Sequence, residues 1–130
     1  MEKETMKKED LAISLKHQGY NCCQAILCAF QEETGLSEEA LKKIGAAFGV
    51  GMGNMEASCG ALCAAEILLG LKEYQDKPVL RRAKELYGAF EEKCGAVLCK
   101  DLKGRDTGVV LCDCDVCIRN ATELAEELFS

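Results

Sequence analysis

Residues 56–71 read EASCGALCAAEILLGL, and when they are drawn as a helix they are apolar on nearly every face. A helix with this pattern is buried on all sides, and its glycine and alanine residues allow other helices to approach closely. The only charged side chain beyond its first turn is Glu66. We therefore predict a central buried helix over about Glu56–Leu71, around which the rest of the chain packs.

The sequence on both sides of this segment predicts further helices. It contains one proline and almost no runs of β-branched residues. We therefore predict the all-α fold class, with a single domain over residues 1–130 that forms a bundle of about six helices. Polar N-cap residues and glycine stops place the helix ends. These signals predict helices over about Glu4–Gln18, Cys22–Glu33, Ser37–Phe48, Pro78–Lys93 and Asp113–Leu128, with a short turn at Cys99–Leu102.

The composition argues against several classes of protein. The net charge is −6, no basic stripe is present, and only seven residues are aromatic, so nucleic-acid binding is not expected. No run approaches the roughly 18 apolar residues of a membrane span, and MEKETMKKED contains no apolar signal segment. We expect a cytoplasmic protein that does not bind membranes. Because the apolar residues of the first helix form no single stripe, we expect this helix to pack on two sides or against a second subunit of a homodimer.

Four of the ten cysteines fall where a helix is predicted to begin. A helix start presents free backbone N–H groups and the positive end of the helix dipole, and both stabilise a thiolate. The thiolate is the form that binds metal or does redox chemistry. In a reducing cytoplasm, clustered cysteines are more often metal ligands or redox thiols than structural disulfides. The four are Cys22, Cys59, Cys99 and Cys114. We expect their sulfurs to lie close together and their thiol pKa values to be low.

Cysteine pairs extend this candidate site. Cys114-x-x-Cys117 at a helix start lets two sulfurs reach one metal or each other, so Cys117 joins the four as a predicted metal ligand. Cys63 and Glu66 lie on the same helix face as Cys59, and these three are the candidate catalytic residues. Two of the remaining thiols are interpreted as core residues without a functional role. Cys28 falls on the polar side of its helix, and Cys28 and Cys94 are assigned to core filling.

The spacing of motifs argues against two common cofactors. The run Gly49-Val-Gly-Met-Gly-Asn54 lacks the spacing of a dinucleotide loop and follows no strand, so we predict a tight connection there. Covalent haem attachment needs Cys-x-x-Cys-His, but Ile118 follows Cys117. The only histidine, His17, is expected at the surface or as a helix cap. No haem is predicted.

The cysteine blocks resemble a redox-active protein family named for the pattern Cys, then Gly-Cys-Ala-x-x-Gly, then Cys, then Cys. The resemblance runs from Gly19 to the C-terminus and implies a helical redox protein that binds iron and sulfur. The same domain type is similar to the non-haem domain of split-Soret-type cytochromes. Ser58, Gly60 and Cys63 depart from the second block. The matching blocks are Asn21-Cys22-x-Gln24-Ala25, Ser58-Cys59-Gly60-Ala61, Phe90-Glu-Glu-x-x-Gly95-x-x-x-Cys99, and Cys114 with Ile118 and Ala121.

Three functions remain open on the sequence. The first is an iron–sulfur protein for electron transfer or redox sensing, which needs a redox partner protein. The second is a metal-free thiol–disulfide protein that uses Cys59 with Cys63, or Cys114 with Cys117. The third is a structural or interaction module that holds zinc through four cysteines. An oxidoreductase and a non-catalytic electron carrier are both compatible with these residues.

Overall fold

The computed structural model describes residues 7–129 and confirms an all-α fold. No strand occurs within this range, and its one β-bridge is an isolated pair, Ser58 with Leu98. None of the helices formed by these residues combines the length and apolar character needed to cross a membrane. The α-helices are α1 Lys8–His17, α2 Cys22–Ala29, α3 Gln31–Thr34, α4 Glu38–Gly45, α5 Gly60–Glu73, α6 Leu80–Cys94, α7 Cys99–Lys103 and α8 Cys114–Leu128.

The predicted central helix is α5, which packs against α2, α6 and α8. Its apolar side chains Leu62, Leu68 and Leu69 are almost fully buried, because neighbours cover it on several sides. It begins at Gly60 rather than at Glu56. Residues 57–59 are not helical because their backbone pairs with residues 97–99 instead.

Three other predicted boundaries differ from the structure. The second predicted helix is broken at Phe30, where φ is −102° and ψ is 23°, so α3 is a separate short turn of helix. The next helix, α4, stops at Gly45 rather than at Phe48. Pro78 lies before α6, whose N-cap is Val79. Residues 4–6 of the first predicted helix lie outside the described range.

Polar side chains cap and fix the starts of α2, α4 and α8, as predicted for the first two. The Asn21 side chain accepts from the Gln24 N–H, and the Gln24 side chain accepts from the Asn21 N–H, which makes a capping box. Ser37 and Asp113 accept from the third N–H of α4 and α8 in the same way. The Asn21 amide also donates to the Gly45 carbonyl at 3.2 Å, which ties the start of α2 to the end of α4.

Candidate thiol and metal site

The four helix-start cysteines line one pocket of about 300 Å³. Cys22, Cys99 and Cys114 are the first residues of α2, α7 and α8, and Cys59 directly precedes α5. We call this cavity the four-cysteine pocket. The structure thus brings the predicted residues together, while their role as metal ligands stays a prediction. The other lining residues are Lys16, Tyr20, Asn21, Val50, Met55, Gly60 and Lys103.

Backbone pairing places Cys59 and Cys99 on the same side of the pocket. The Cys59 N–H donates to the Val97 carbonyl at 2.8 Å, and the Cys99 N–H donates to the Ala57 carbonyl at 3.0 Å. In an antiparallel pair, directly opposite residues, and residues two apart along one strand, point to the same face of the pair. Both thiols therefore face the same way. This pairing joins segments that are distant in the sequence, and no local pattern predicted it.

The predicted tight connection at Gly49–Asn54 closes over this pairing. Residues Gly51–Met55 form a π-type turn, within which Met52 and Gly53 have left-handed backbone angles. Gly51 has φ of +55°, and a Cβ there would lie 2.7 Å from the Cys99 Cβ. Only glycine allows so close an approach, so the turn presses its backbone directly against a pocket cysteine.

Cys22 and Cys114 act as donor and acceptor across the pocket. The Cys22 thiol donates to the Cys114 sulfur, and this bond lowers the pKa of Cys114 to about 6. Burial opposes the shift, while the positive charges of Lys103 and Lys16 add to it. The same bond raises the pKa of Cys22, because that thiol must keep its proton to donate. Cys114 is therefore the thiolate of the pair.

Cys59 is the second thiolate of the four-cysteine pocket. Its pKa is lowered to about 7, chiefly because of the neighbouring Cys117 thiol and further because of the Lys103 charge. The N–H groups of Ala61 and Leu62 at the start of α5 contribute as well. Burial instead raises the pKa of Cys99 against the opposing charge of Lys103. The expectation of four low thiol pKa values is correct for Cys59 and Cys114 and wrong for Cys22 and Cys99.

A second thiol group lies beside the pocket. The sulfur atoms of Cys94, Cys112 and Cys117 all lie within 4.8 Å of one another, and all three residues are buried. We call this group the cysteine trio. The Asn120 amide donates to the Cys94 sulfur at 3.3 Å. The Cys117 thiol, the Asn120 amide and the Cys112 thiol all lower the pKa of Cys94, to about 6.

The trio changes two assignments made from the sequence. Cys94, assigned to core filling, and Cys112, to which no role was given, are neighbours in a polar cluster. Cys117 belongs to the trio and Cys114 to the pocket, so the Cys114-x-x-Cys117 pair is divided between the two groups. The contact of Cys117 with Cys59 connects these groups. The density of cysteines over residues 112–117 was the only sequence signal for this cluster.

Lys103 is the functional residue that sequence reasoning missed. Its half-buried ammonium lies among Cys59, Cys99, Cys114 and Cys117, and their negative charge raises the pKa of the lysine against its desolvation. Its Nζ is 3.7 Å from the Cys117 sulfur. A lysine four residues after a helix-start cysteine lies on the same helix face, which is the signal that could have identified it.

Cys63 and Glu66 do not line the pocket, unlike Cys59. Burial, followed by the charges of Cys59 and Glu66, raises the pKa of Cys63 to about 11, which disfavours a nucleophilic thiolate. Glu66 is half-buried, and its Oε1 is buried with no hydrogen-bond partner among residues 7–129. That burial raises the pKa of the carboxyl to about 7. Glu66 is therefore next to Cys63 but outside the pocket.

Three remaining residues belong to neither group. Cys23 and Cys28 are buried core thiols, and burial raises their pKa values to about 12 and about 11. Cys28 is buried, as its assignment to core filling expects, and the charges of Glu38 and Lys42 on α4 act on its thiol. His17 is at the surface, as expected, with its ring nitrogen 3.0 Å from the Asp115 carboxylate.

The donor set is all sulfur, but its two parts differ in spacing. Within residues 7–129, the trio is the only group of three or more cysteine, histidine or carboxylate ligand atoms that lie mutually within 4.8 Å. The pocket thiols are therefore spread more widely around their cavity than the trio sulfurs are. All ten cysteines are free thiols, so every sulfur can act as a donor.

One comparison with known proteins gives a match. The family described as "Putative redox-active protein (C_GCAxxG_C_C)" matches residues 20–128. This range contains all ten cysteines, both thiol groups and Lys103. Searches of curated proteins and of solved structures found no match.

Proposed function

The chain belongs to the redox-active protein family with the C-GCAxxG-C-C pattern, and on this basis we propose that its pocket holds an iron–sulfur cluster. The ligands are the thiolates of Cys22, Cys59, Cys99 and Cys114. Such a cluster supplies reversible one-electron transfer. The function is then electron transfer or redox sensing together with a redox partner protein.

The observation that carries this proposal is the spacing of the four pocket thiols. They surround a cavity of about 300 Å³, and no three of them lie mutually within 4.8 Å, in contrast to the trio. A single zinc ion holds each of its sulfur ligands about 2.3 Å away, so the sulfurs lie close to one another. A cluster places several atoms between its ligands. Widely spaced thiols around a cavity therefore favour a cluster over zinc.

The surrounding residues stabilise negative charge at this pocket. The first residues of α2, α5, α7 and α8 line this pocket, and the N–H groups at a helix start favour anionic sulfur. The Lys103 ammonium adds a full positive charge beside Cys59, Cys99 and Cys114. Val50 and Met55 supply apolar lining. Charge, hydrogen bonds and burial of this kind set the reduction potential of a cluster.

One observation favours a second candidate, a thiol–disulfide protein. The neighbouring Cys117 thiol is the chief cause of the lowered pKa of Cys59, so a candidate nucleophile lies beside a second sulfur. Oxidation of this thiolate–thiol pair would form one S–S bond and release one proton, with two electrons passing to an acceptor disulfide. The relevant pair is then Cys59 with Cys117 rather than Cys59 with Cys63.

Metal analysis of anaerobically purified protein tests the cluster. We expect a brown protein that absorbs visible light and contains iron and acid-labile sulfide. Replacing Cys59 or Cys99 with Ser should abolish the colour, because each change removes a ligand. Cys28→Ser is the matched control, since Cys28 is equally buried but lies outside both thiol groups, and its colour should be unchanged.

The other outcomes identify the alternatives. A colourless protein with one tightly held zinc ion would support the zinc module and contradict the cluster. A colourless, metal-free protein that forms a reversible Cys59–Cys117 disulfide, mapped by peptide mass spectrometry, would support the thiol–disulfide protein.

A further inference from the structure

The cysteine trio has the geometry of a site in its own right. Cys94 is the last residue of α6, Cys112 lies in the loop before α8, and Cys117 lies in the first turn of α8. Their exposed fractions are 4%, 5% and 0%. Three sulfurs held about 2.3 Å from one metal ion are about 4 Å apart. The observed separations of at most 4.8 Å are thus close to those of three ligands around one ion.

The backbone around the trio is held in place. The N–H groups of Leu111 and Cys112 both donate to the Leu102 carbonyl, at 3.0 Å and 3.1 Å. These bonds attach the loop to the end of α7. The trio is therefore built by packed helices and an anchored loop, which is what a preformed metal site needs.

Two polar side chains complete the surroundings of the trio. The Asn120 amide lies 3.3 Å from the Cys94 sulfur, and the Lys103 ammonium lies 3.7 Å from the Cys117 sulfur. Both donate N–H groups to sulfur, as the outer ligand shell of a metal thiolate does. The lysine also offsets part of the negative charge that three thiolates would carry.

The donor set selects the kind of ion. Structural zinc sites are almost always four-coordinate, whereas this group offers three ligand atoms, all of them sulfur. Soft thiolate ligands select Cu(I), which is satisfied by three of them. We propose that Cys94, Cys112 and Cys117 form a second metal site, separate from the four-cysteine pocket, that binds one Cu(I) ion through three thiolates. None of these cysteines is one of the four proposed cluster ligands.

A copper titration of the anaerobically purified protein tests this site. Cu(I) is added with a competing Cu(I) chelator, and the retained copper is measured after gel filtration. We expect the wild type to retain one equivalent, and X-ray absorption should find three sulfur neighbours around it. Cys112→Ser should weaken retention at least tenfold. Cys28→Ser, which removes a buried thiol elsewhere, should leave it unchanged.

Two further measurements make the outcome independent of a folding defect and of the proposed cluster. In the wild type, bound Cu(I) should protect Cys94, Cys112 and Cys117 from alkylation, as mapped by mass spectrometry. Cys22→Ser should retain the copper even if it loses the cluster. Equal copper retention by wild type and Cys112→Ser, absence of protection, or preferential retention of zinc over Cu(I) would each overturn the copper site.

Discussion

At the scale of single residues, Glu66 is the side chain whose surroundings oppose its charge. Its Oε1 is buried and, within the described part of the chain, has no hydrogen-bond partner, on a helix that is otherwise core. The pKa of its carboxyl is about 7 instead of the ordinary 4.5, because desolvation disfavours the ionised form. At a pH between these two values, the folded protein therefore keeps a proton on this carboxyl that the unfolded chain has lost.

This proton makes stability depend on pH. Between pH 4.5 and 7 the folded state binds more protons at Glu66 than the unfolded state does, so its contribution to stability falls as pH rises through that window. Glu66→Gln removes the titrating group. We expect the variant to be more stable than the wild type at pH 8, by about 1 kcal/mol after allowing for solvent screening of a half-exposed group. Near pH 4 the two proteins should be equally stable.

Urea unfolding at several pH values measures the difference. Glu91→Gln on the exposed face of α6 is the matched control for loss of one negative charge. A pH-independent difference for Glu66→Gln would mean that the carboxylate is fully hydrated in the folded protein. A shift of the redox potential in this variant would further indicate that the charge acts on the thiols through Cys63.

Single residues also show how much of the site the sequence could predict. The helix pattern located Glu66 on a buried face beside Cys63, because that depends only on residues three to seven positions apart. Whether its carboxylate meets water depends on helices brought over it by the fold. The same reason explains Cys28, which the pattern assigned to a polar face and α4 buries.

At the scale of elements, the site depends on how non-helical segments present helix starts. The pairing of residues 57–59 with 97–99 directs Cys59 and Cys99 to one face, and the turn at Gly51 closes over them. Glycine is required at this turn for two separate reasons. Its φ is positive, and a side chain there would collide with Cys99.

Comparing two glycine substitutions separates these reasons. Gly51→Ala adds a Cβ 2.7 Å from the Cys99 Cβ and 3.0 Å from the Ala57 carbonyl, whereas Gly53→Ala has no atom within 4 Å of its new Cβ. Both positions have positive φ, at +55° and +94°. We expect Gly51→Ala to lower the free energy of unfolding by about 1–3 kcal/mol more than Gly53→Ala does, as overpacking does elsewhere.

Denaturant unfolding of both variants measures this difference, and metal retention shows whether Cys99 has moved. Equal destabilisation by the two substitutions would mean that backbone strain alone matters and that the turn does not position Cys99. Sequence reasoning predicted a tight approach of backbone to a buried group at this glycine run. It could not identify the group, because Cys99 lies far along the chain.

At the scale of the whole molecule, the apolar core extends well beyond the thiol groups. Large side chains such as Phe30, Phe90, Ile26 and Leu68 are fully buried. We therefore expect the reduced, metal-free protein to keep most of its far-UV circular dichroism signal after chelation. Small zinc domains lose theirs because they have no such core. Collapse of the helical signal on chelation would show that the core is insufficient without metal.

The all-α bundle, its central helix and the location of four cysteines at helix starts were predictable because each rests on local patterns repeated along the chain. The grouping of the other thiols was not. Cys94 enters the trio because Gly95 ends α6 beside the loop that carries Cys112, and this meeting depends on tertiary packing. Lys103 was missed because its chemistry appears only once four sulfurs surround it.

The four pocket cysteines come from widely separated parts of the chain. A cluster bound to all four is therefore also a covalent cross-link that closes long loops between α2, α5, α7 and α8. Such loop closure restricts the unfolded chain far more than it alters the native shape. A bound cluster would thus slow unfolding. Its loss by oxidation would speed unfolding while the native structure stayed the same.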